Sequence, residues 1–293
     1  MNAAVATTGM VIFFNLSGFL ITNILLHNQN ILTFLTRRFI RIVPLAWLVL
    51  LVTFICVSPV ETRVYLSHFL FYANWGEPMA LLDPTSHFWS LCVEMQFYVA
   101  IAALVLIFRK QSFCFIPLFC LAITGYRFYS GVGAAINTYY RLDEILAGCL
   151  LALMFNKSNA SIKKLSFLNP IFLFPLVLVS AHPRGESFMY LRPYFSMIMI
   201  GSTLFNGQPS WFDRWLRGRF LFYIATVSYA LYIIHGGLRY TWLSEGGTVV
   251  RYLKRPIFFV VTFALAHLST FYYEKKWIAF GKKITSSLPV SRS

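Results

Sequence analysis

Long apolar stretches alternate with short polar or basic segments along most of the 293 residues. A helix needs about 20 predominantly apolar residues, and no fewer than about 17, to cross the hydrocarbon core of a bilayer. Scanning the sequence for such stretches predicts about nine membrane-spanning helices. They cover residues 3–26, 42–57, 88–108, 113–126, 134–155, 167–181, 189–205, 220–238 and 256–273.

The predicted spans follow one another without a long polar linker and without an internal repeat. Three of them, the fourth, sixth and seventh, are short or contain proline, so their ends are less sharply marked than those of the others. The pattern predicts an all-α, polytopic integral membrane helix bundle that forms one domain, residues 1–293.

The composition supports a membrane protein, because 58% of the residues are hydrophobic and only 12% are charged. A soluble domain is usually about half apolar and about a quarter charged. The mean hydropathy of +0.66 is correspondingly high. So little polar surface cannot coat a globule, and we expect the lipid bilayer to be the solvent for most of the chain.

Basic residues give the chain a net charge of +15, and they lie in short groups between the apolar stretches. This arrangement is typical of orientation signals in membrane proteins and not of a nucleic-acid-binding stripe or tail. The nine-span topology collects 16 of the 25 basic residues on one side, which the positive-inside rule assigns to the cytoplasm. It places the N-terminus outside and the C-terminus in the cytoplasm. The opposite side receives Arg63, Arg127, Arg141, Arg184, Arg192, Arg239, Arg251, Lys254 and Arg255.

Histidine and cysteine never recur at the spacing of a metal site, so we expect no metal and no bound cofactor. Ionisable residues within predicted spans are the remaining candidates for chemistry. Each costs roughly 2.5–3.5 kcal/mol to insert at the centre of a membrane helix, so it is a functional candidate by default.

Three segments of the sequence share their residues with a known family. Residues 13–21 read F-F-N-L-S-G-F-L-I, residues 37–45 read R-R-F-I-R-I-V-P-L, and residues 87–98 read H-F-W-S-L-C-V-E-M-Q-F-Y. In this order they resemble the acyltransferase 3 family, membrane enzymes that O-acylate glycans and other acceptors. Weaker similarity continues through residues 141–148 and 227–235 to residues 273–275, so the resemblance covers nearly the whole chain.

The family ordinarily opens with a helix that this sequence does not supply. That helix carries a basic residue and, ten residues later, a histidine proposed as the catalytic base, and it would precede Phe13. The uncharged start of the first span would also have to cross the membrane unaided. Both observations lead us to expect a ten-helix fold without its first helix. They also leave open a relative that lacks the base.

Glu94 lies about two turns, or about 10 Å, inside the third predicted span. One interpretation is a catalytic carboxylate that orients a base or holds an acceptor hydroxyl. The other is a structural partner of a buried arginine or histidine, such as Arg141.

Arg37, Arg38 and Arg41 precede the second predicted span. They either anchor the helix end at the cytoplasmic face or bind the phosphates of coenzyme A, for which forked guanidinium donors are well suited. Arg37 and Arg41 share one face if the helix extends that far. The family resemblance favours a donor site.

His87 and His235 lie at the outer ends of the third and eighth predicted spans. His87 is either a residue of the helix entrance or a catalytic base. His235 is either part of an interfacial aromatic belt or a substrate-binding residue. Arg141 and Asp143 belong to the same proposed outer group, as substrate-binding candidates.

The resemblance to the acyltransferase 3 family implies an O-acyltransferase of the bacterial inner membrane. An acyl group, which we expect to be acetyl, would pass from acyl-CoA on the cytoplasmic side to a hydroxyl of a cell-surface glycan or lipid-linked acceptor outside. A catalytically inactive relative, or a transport or binding protein, is the alternative. Because transporters usually contain internal pseudo-repeats, the missing repeat disfavours transport.

Overall fold

A computed structural model describes residues 2–57, 60–76, 79–133, 135–157, 164–205 and 211–286. Within these ranges the regular structure is helical throughout and contains no strand. The α-helices are α1 (Asn2–His27), α2 (Ile31–Val57), α3 (Thr62–Phe69), α4 (Phe88–Phe108), α5 (Ile116–Tyr129), α6 (Leu142–Lys157), α7 (Pro170–Ser180), α8 (Phe188–Leu204), α9 (Trp211–Leu216), α10 (Arg219–Leu238), α11 (Thr248–Leu268) and α12 (Lys275–Ser286).

Five helical stretches in the described ranges are long and apolar enough to cross a membrane. They are Ala3–His27, Ile31–Val57, Phe88–Tyr129, Arg219–Leu238 and Thr248–Ser286. A shorter apolar helix covers Pro170–Ser180. The all-helical membrane architecture is therefore confirmed, whereas the count of about nine spans is not.

The second predicted span begins later in the sequence than the helix that the structure shows there. Helix α2 starts at Ile31, eleven residues before the predicted boundary, and includes Arg37 and Arg41. The three arginines lower the hydropathy of the segment, but nothing in their backbone preferences ends a helix. Similarly, the fifth predicted span starts as a helix only at Leu142, and its predicted first residue, 134, lies outside the described residues.

The chain packs into two compact units. The first contains Met1–Ile31 and Val93–Asp213, and the second contains Leu32–Cys92 and Arg214–Arg292. In the first unit α6 is central, because α1, α5 and α8 all pack on it. In the second unit α10 packs on α11. The single domain stays a prediction.

Glycines bring α1 and α6 together in the first unit. A Cβ at Gly18 would lie 2.0 Å from the carbonyl oxygen of Ile145, and a Cβ at Gly148 would lie 1.9 Å from that of Asn15. The two backbones therefore touch directly. Small residues permit such an approach in membranes, where van der Waals packing replaces the hydrophobic driving force.

Pro44 lies inside α2 of the second unit. Because proline has no N–H and its ring displaces a carbonyl of the preceding turn, the local hydrogen-bond ladder is interrupted. Two tyrosine hydroxyls bind carbonyl oxygens here. Tyr229 donates to Ile42 at 2.5 Å, and Tyr273 donates to Pro44 at 3.3 Å. These bonds fix α2 immediately after its arginines.

Candidate functional site

The arginine segment of α2 presents two guanidinium groups at the surface of the second unit. Arg37 and Arg41 are exposed and lie one turn apart, whereas Arg38 is partly buried. Nε of Arg37 donates to Oγ1 of Thr285 on α12 at 3.0 Å. This bond orients the guanidinium plane and involves neither of its two terminal nitrogens.

A buried carboxylate lies on the same side of the second unit. Glu274 ends the π-helical segment Ser269–Glu274 between α11 and α12. Its Oε1 accepts hydrogen bonds from the hydroxyls of Ser269 at 3.2 Å and Thr270 at 3.0 Å. Arg41 lies within electrostatic range of this carboxylate. The C-terminal segment therefore contacts Arg37 and places a carboxylate within electrostatic range of Arg41.

His87 and His235 form an imidazole pair in the second unit. Their ring centroids are 5.0 Å apart, and the ring of Tyr232 lies 5.4 Å from that of His87. The hydroxyl of Tyr232 donates to the backbone oxygen of His87, and it also lies 2.5 Å from Oγ of Ser90. The first turn of α4 is thus tied to the last turns of α10.

The hydrogen bonds of the two rings determine where each can accept a proton. Nε2 of His87 lies 3.2 Å from the carbonyl oxygen of Ile233, and Nδ1 of His235 lies 2.6 Å from that of Tyr232. A carbonyl oxygen can only accept, so each of these nitrogens carries the hydrogen. The lone pair therefore belongs to Nδ1 of His87 and to Nε2 of His235.

The backbone of Gly236 packs against one edge of the His87 ring. A Cβ at this position would lie 1.9 Å from Cε1 and 2.2 Å from Nδ1 of His87. Burial, and after it the neighbouring His235, lower the pKa of His87 from 6.5 to about 3. His87 is therefore neutral at physiological pH, with its lone pair on the nitrogen that faces glycine.

Helix α2 relates the arginines to the imidazole pair. A Cβ at Gly237, the neighbour of Gly236 on α10, would lie 3.8 Å from Oγ1 of Thr53. Thr53 follows Arg41 by twelve residues on α2, which corresponds to about 18 Å along the helix axis. The second unit therefore carries exposed arginines toward one end of a helix and imidazoles toward the other.

Glu94 lies in the first unit and is buried. Its Oε1 accepts hydrogen bonds from Oγ of Ser17 at 2.7 Å and from the hydroxyl of Tyr98. Two neutral hydroxyl donors thus hold one oxygen of the carboxylate.

A buried ionic network occupies the region around the start of α6. Arg141, considered above as a partner of Glu94, pairs with Glu144 at 2.6 Å, and Arg192 pairs with the same carboxylate at 2.6 Å. Arg127 pairs with Asp143. The two carboxylates lie in the first turn of α6, where the helix dipole favours negative charge. The buried ion pairs give Arg141 and Asp143 a structural role, and their substrate-binding role stays a prediction.

The sequence interpretation missed two members of this network. Arg127 and Arg192 were counted among the basic residues of the outer side, but they are fully buried in α5 and α8. Their signal was available, because an arginine within an otherwise apolar helix normally pairs inside a bundle.

Five proposed site residues are thus placed in three settings. His87 and His235 lie together, Arg141 and Asp143 belong to the ionic network, and Glu94 is bound by hydroxyls. Their predicted gathering into one outer cluster stays a prediction.

Comparison with known proteins identifies relatives. Residues 1–277 match the sequence model of the acyltransferase 3 family, described as "Acyltransferase domain". A putative peptidoglycan O-acetyltransferase of Bacillus subtilis is 25% identical over 323 aligned positions, covering 91% of this chain and 50% of the relative. A peptidoglycan O-acetyltransferase of Listeria monocytogenes is 26% identical over 274 positions, covering 78% of this chain and 44% of the relative.

A third relative is a putative O-acetyltransferase of Staphylococcus aureus, 28% identical over 275 positions, with 78% of this chain and 45% of the relative covered. The chain thus spans about half the length of these relatives. No solved structure matches it. The family match extends over nearly all residues and agrees with the resemblance seen in the sequence motifs. The chain is a multi-pass membrane protein that belongs to the acyltransferase 3 family.

Proposed function

We propose that this protein is an O-acyltransferase of the bacterial inner membrane. It moves an acyl group, in our proposal acetyl, from acyl-CoA to a hydroxyl of a cell-surface glycan or lipid-linked acceptor. The N-terminus of the chain lies outside and its C-terminus in the cytoplasm. The observation that carries the proposal is the placement of Arg37 and Arg41 toward one end of α2 and His87 toward the other.

This placement suits a donor with charges at one end and a reactive group at the other. Acyl-CoA is a long molecule whose phosphates and thioester lie at opposite ends. Exposed guanidinium groups bind phosphate through parallel N–H donors. The roughly 18 Å along α2 between Arg41 and Thr53 would let the phosphates remain at the basic end while the acyl arm extends toward His87.

Proton transfer is the role that we assign to His87. Nδ1 takes the proton of the acceptor hydroxyl while the hydroxyl oxygen attacks the thioester carbonyl carbon. The C–S bond then breaks, and the departing thiolate receives the proton from the imidazolium. The products are the O-acyl ester and free CoA. His235 assists by placing a second imidazole ring beside His87.

Glu94 is proposed to hold the acceptor. A carboxylate that already accepts from Ser17 and Tyr98 can also accept from a substrate hydroxyl. Arg141 and Asp143, in this proposal, support the acceptor-binding region through the ionic network.

The experiment is transfer of labelled acetyl from acetyl-CoA to a bacterial cell-wall glycan by the purified full chain in lipid nanodiscs, read as alkali-labile ester. Wild type should form ester, and His87→Gln should lose at least about tenfold in rate, as expected when a general base is removed. Glu94→Gln should raise KM for the acceptor. Ester formation that is unchanged in His87→Gln overturns the assignment of the base.

The donor site is tested by acetyl-CoA binding to the double variant Arg37→Ala/Arg41→Ala. Arg251→Ala is the matched control, because Arg251 is an exposed arginine on α11. We expect loss of affinity in the double variant alone. Acetyl-CoA binding without any transfer in the wild type would favour a binding protein, the alternative to an enzyme.

A further inference from the structure

One face of the C-terminal helix lies against the arginine segment of α2. Intervals of seven and four residues separate Glu274, Gly281 and Thr285. They therefore share one face of α12 and of the segment that precedes it. A Cβ at Gly281 would lie 3.1 Å from Cγ2 of Ile40, which is the residue before Arg41. The two helices are therefore in close contact between the positions of Arg37 and Arg41.

The hydroxyl of Thr285 both donates and accepts a hydrogen bond in this contact. Its hydroxyl donates to the carbonyl oxygen of Lys282 at 3.2 Å, and its Oγ1 accepts from Nε of Arg37 at 3.0 Å. Thr285 is buried, whereas Arg37 is exposed. The donated hydrogen fixes the hydroxyl orientation, so a lone pair points at Nε. A surface guanidinium is thereby held in one orientation by a buried group.

The π-helical segment determines which side chains of α12 reach α2. A π turn contains one residue more than an α turn, so it rotates the following helix by about 100° relative to an uninterrupted α-helix. Segment Ser269–Glu274 precedes α12 directly. Its hydroxyls at Ser269 and Thr270 bind Glu274 and stabilise this turn. Without the added residue, Thr285 would not face Arg37.

We infer that Thr285 is a positioning residue for the anionic end of the acyl donor. It fixes Nε of Arg37 and so directs the two terminal guanidinium nitrogens toward a phosphate group, the geometry in which arginine binds phosphate bidentately. The inference rests on the proposed function, because it assigns the exposed arginines to the phosphates of CoA. It extends the donor site from α2 to the C-terminal helix.

The test compares Thr285→Val with Thr285→Ser in the full chain, with acetyl-CoA as the variable substrate. Valine has a similar shape but no hydroxyl, whereas serine keeps the acceptor. We expect Thr285→Val to raise KM for acetyl-CoA about tenfold, the loss of one hydrogen bond to a charged group, with kcat unchanged. Thr285→Ser should restore KM to within about twofold of the wild type.

A double-variant comparison shows whether the effect passes through Arg37. If Thr285 acts only by orienting Arg37, Thr285→Val should add nothing to the KM increase of Arg37→Ala. The inference is overturned if Thr285→Val leaves KM for acetyl-CoA unchanged or lowers kcat. It is also overturned if the KM increases of Thr285→Val and Arg37→Ala are additive in the double variant. Failure of the wild type to bind acetyl-CoA would overturn the proposed function itself, and that outcome is separate from the behaviour of the variants.

Discussion

The backbone of Gly236 lies against the imidazole edge of His87, so that an added Cβ would lie 1.9 Å from Cε1 of the ring. A side chain at residue 236 would therefore displace the ring of His87 from its present position. Neighbouring Gly237 differs, because its added Cβ would meet Oγ1 of Thr53 at the ordinary distance of 3.8 Å.

Gly236→Ala should therefore displace His87 and remove most acyl transfer. We expect a stability loss of about 1–3 kcal/mol, the usual cost of overpacking, and a rate reduced at least about tenfold. Gly237→Ala is the matched control and should keep the stability and the transfer rate of the wild type. Thermal unfolding in detergent and the transfer assay measure the two effects. Equal activity in the two variants would contradict the proposed role of His87.

The contact between α1 and α6 should tolerate no side chain at either glycine. Gly18→Ala and Gly148→Ala place a methyl group against backbone, which cannot rotate away, and each should destabilise the protein by about 1–3 kcal/mol or more. Gly9→Ala and Gly125→Ala are controls, because an added Cβ at these helical positions meets nothing within 4 Å. They should be neutral or stabilising by up to about 1 kcal/mol. Melting temperatures in detergent should separate the two pairs.

Glu144 holds together the ionic network of the first unit. Glu144→Gln removes the negative charge that faces Arg141 and Arg192, and leaving buried charge uncompensated typically costs about 3–5 kcal/mol. Glu186→Gln, on an exposed carboxylate, is the control and should change stability by less than about 0.5 kcal/mol. A melting temperature of Glu144→Gln near that of the control would show that the network contributes little.

The pKa of His87 predicts a dependence of stability on pH. Unfolded His87 binds its proton near pH 6.5, whereas burial lowers the folded pKa to about 3. Between these values the unfolded state binds more protons, so the free energy of unfolding falls as the pH decreases from 6.5 toward 3. Electrostatic interactions with His235, Arg239 and His68 also lower the pKa of His87.

In His87→Gln the free energy of unfolding should fall less steeply as the pH decreases, since glutamine does not titrate. The pKa of His68 is also lowered by burial, so His68→Gln should likewise make the free energy of unfolding less dependent on pH. Thermal unfolding from about pH 7 to pH 4 in wild type and both variants provides the measurement. Parallel curves for wild type and His87→Gln would exclude a contribution of His87 in this range.

Hydropathy was sufficient to predict helices where apolar residues continue to the helix end. The predicted span 88–108 coincides with α4, and 220–238 differs from α10 by one residue. It failed at α2, whose first turns contain Arg37, Arg38 and Arg41. Hydropathy reports transfer into lipid, and the helix continues beyond the residues that prefer lipid.

Sequence motifs located the candidate residues but could not assign their partners. The sequence interpretation singled out Glu94 and Arg141, yet nothing in the spacing of Glu94 reveals that Ser17 binds it. Only Arg141 and Glu144, three residues apart, have a spacing that permits an ion pair along one helix. Partners such as Arg192 and Thr285 are distant in sequence and belong to no recognised motif. Their roles follow only from helix packing, and for Thr285 from one additional residue in a π turn.

The crossing of Gly18 over Gly148 also constrains the order of events during biosynthesis. Chains emerge from the ribosome with their N-terminal parts first. Helix α1 therefore enters the bilayer well before α6 has been translated, and the face around Asn15 is without its native neighbour until residue 148 arrives. A nascent chain that terminates between these residues leaves the backbone of Asn15 and Gly18, which α6 covers in the folded protein, in contact with lipid or the insertion machinery. Such truncated chains should be preferred substrates for membrane quality-control proteases.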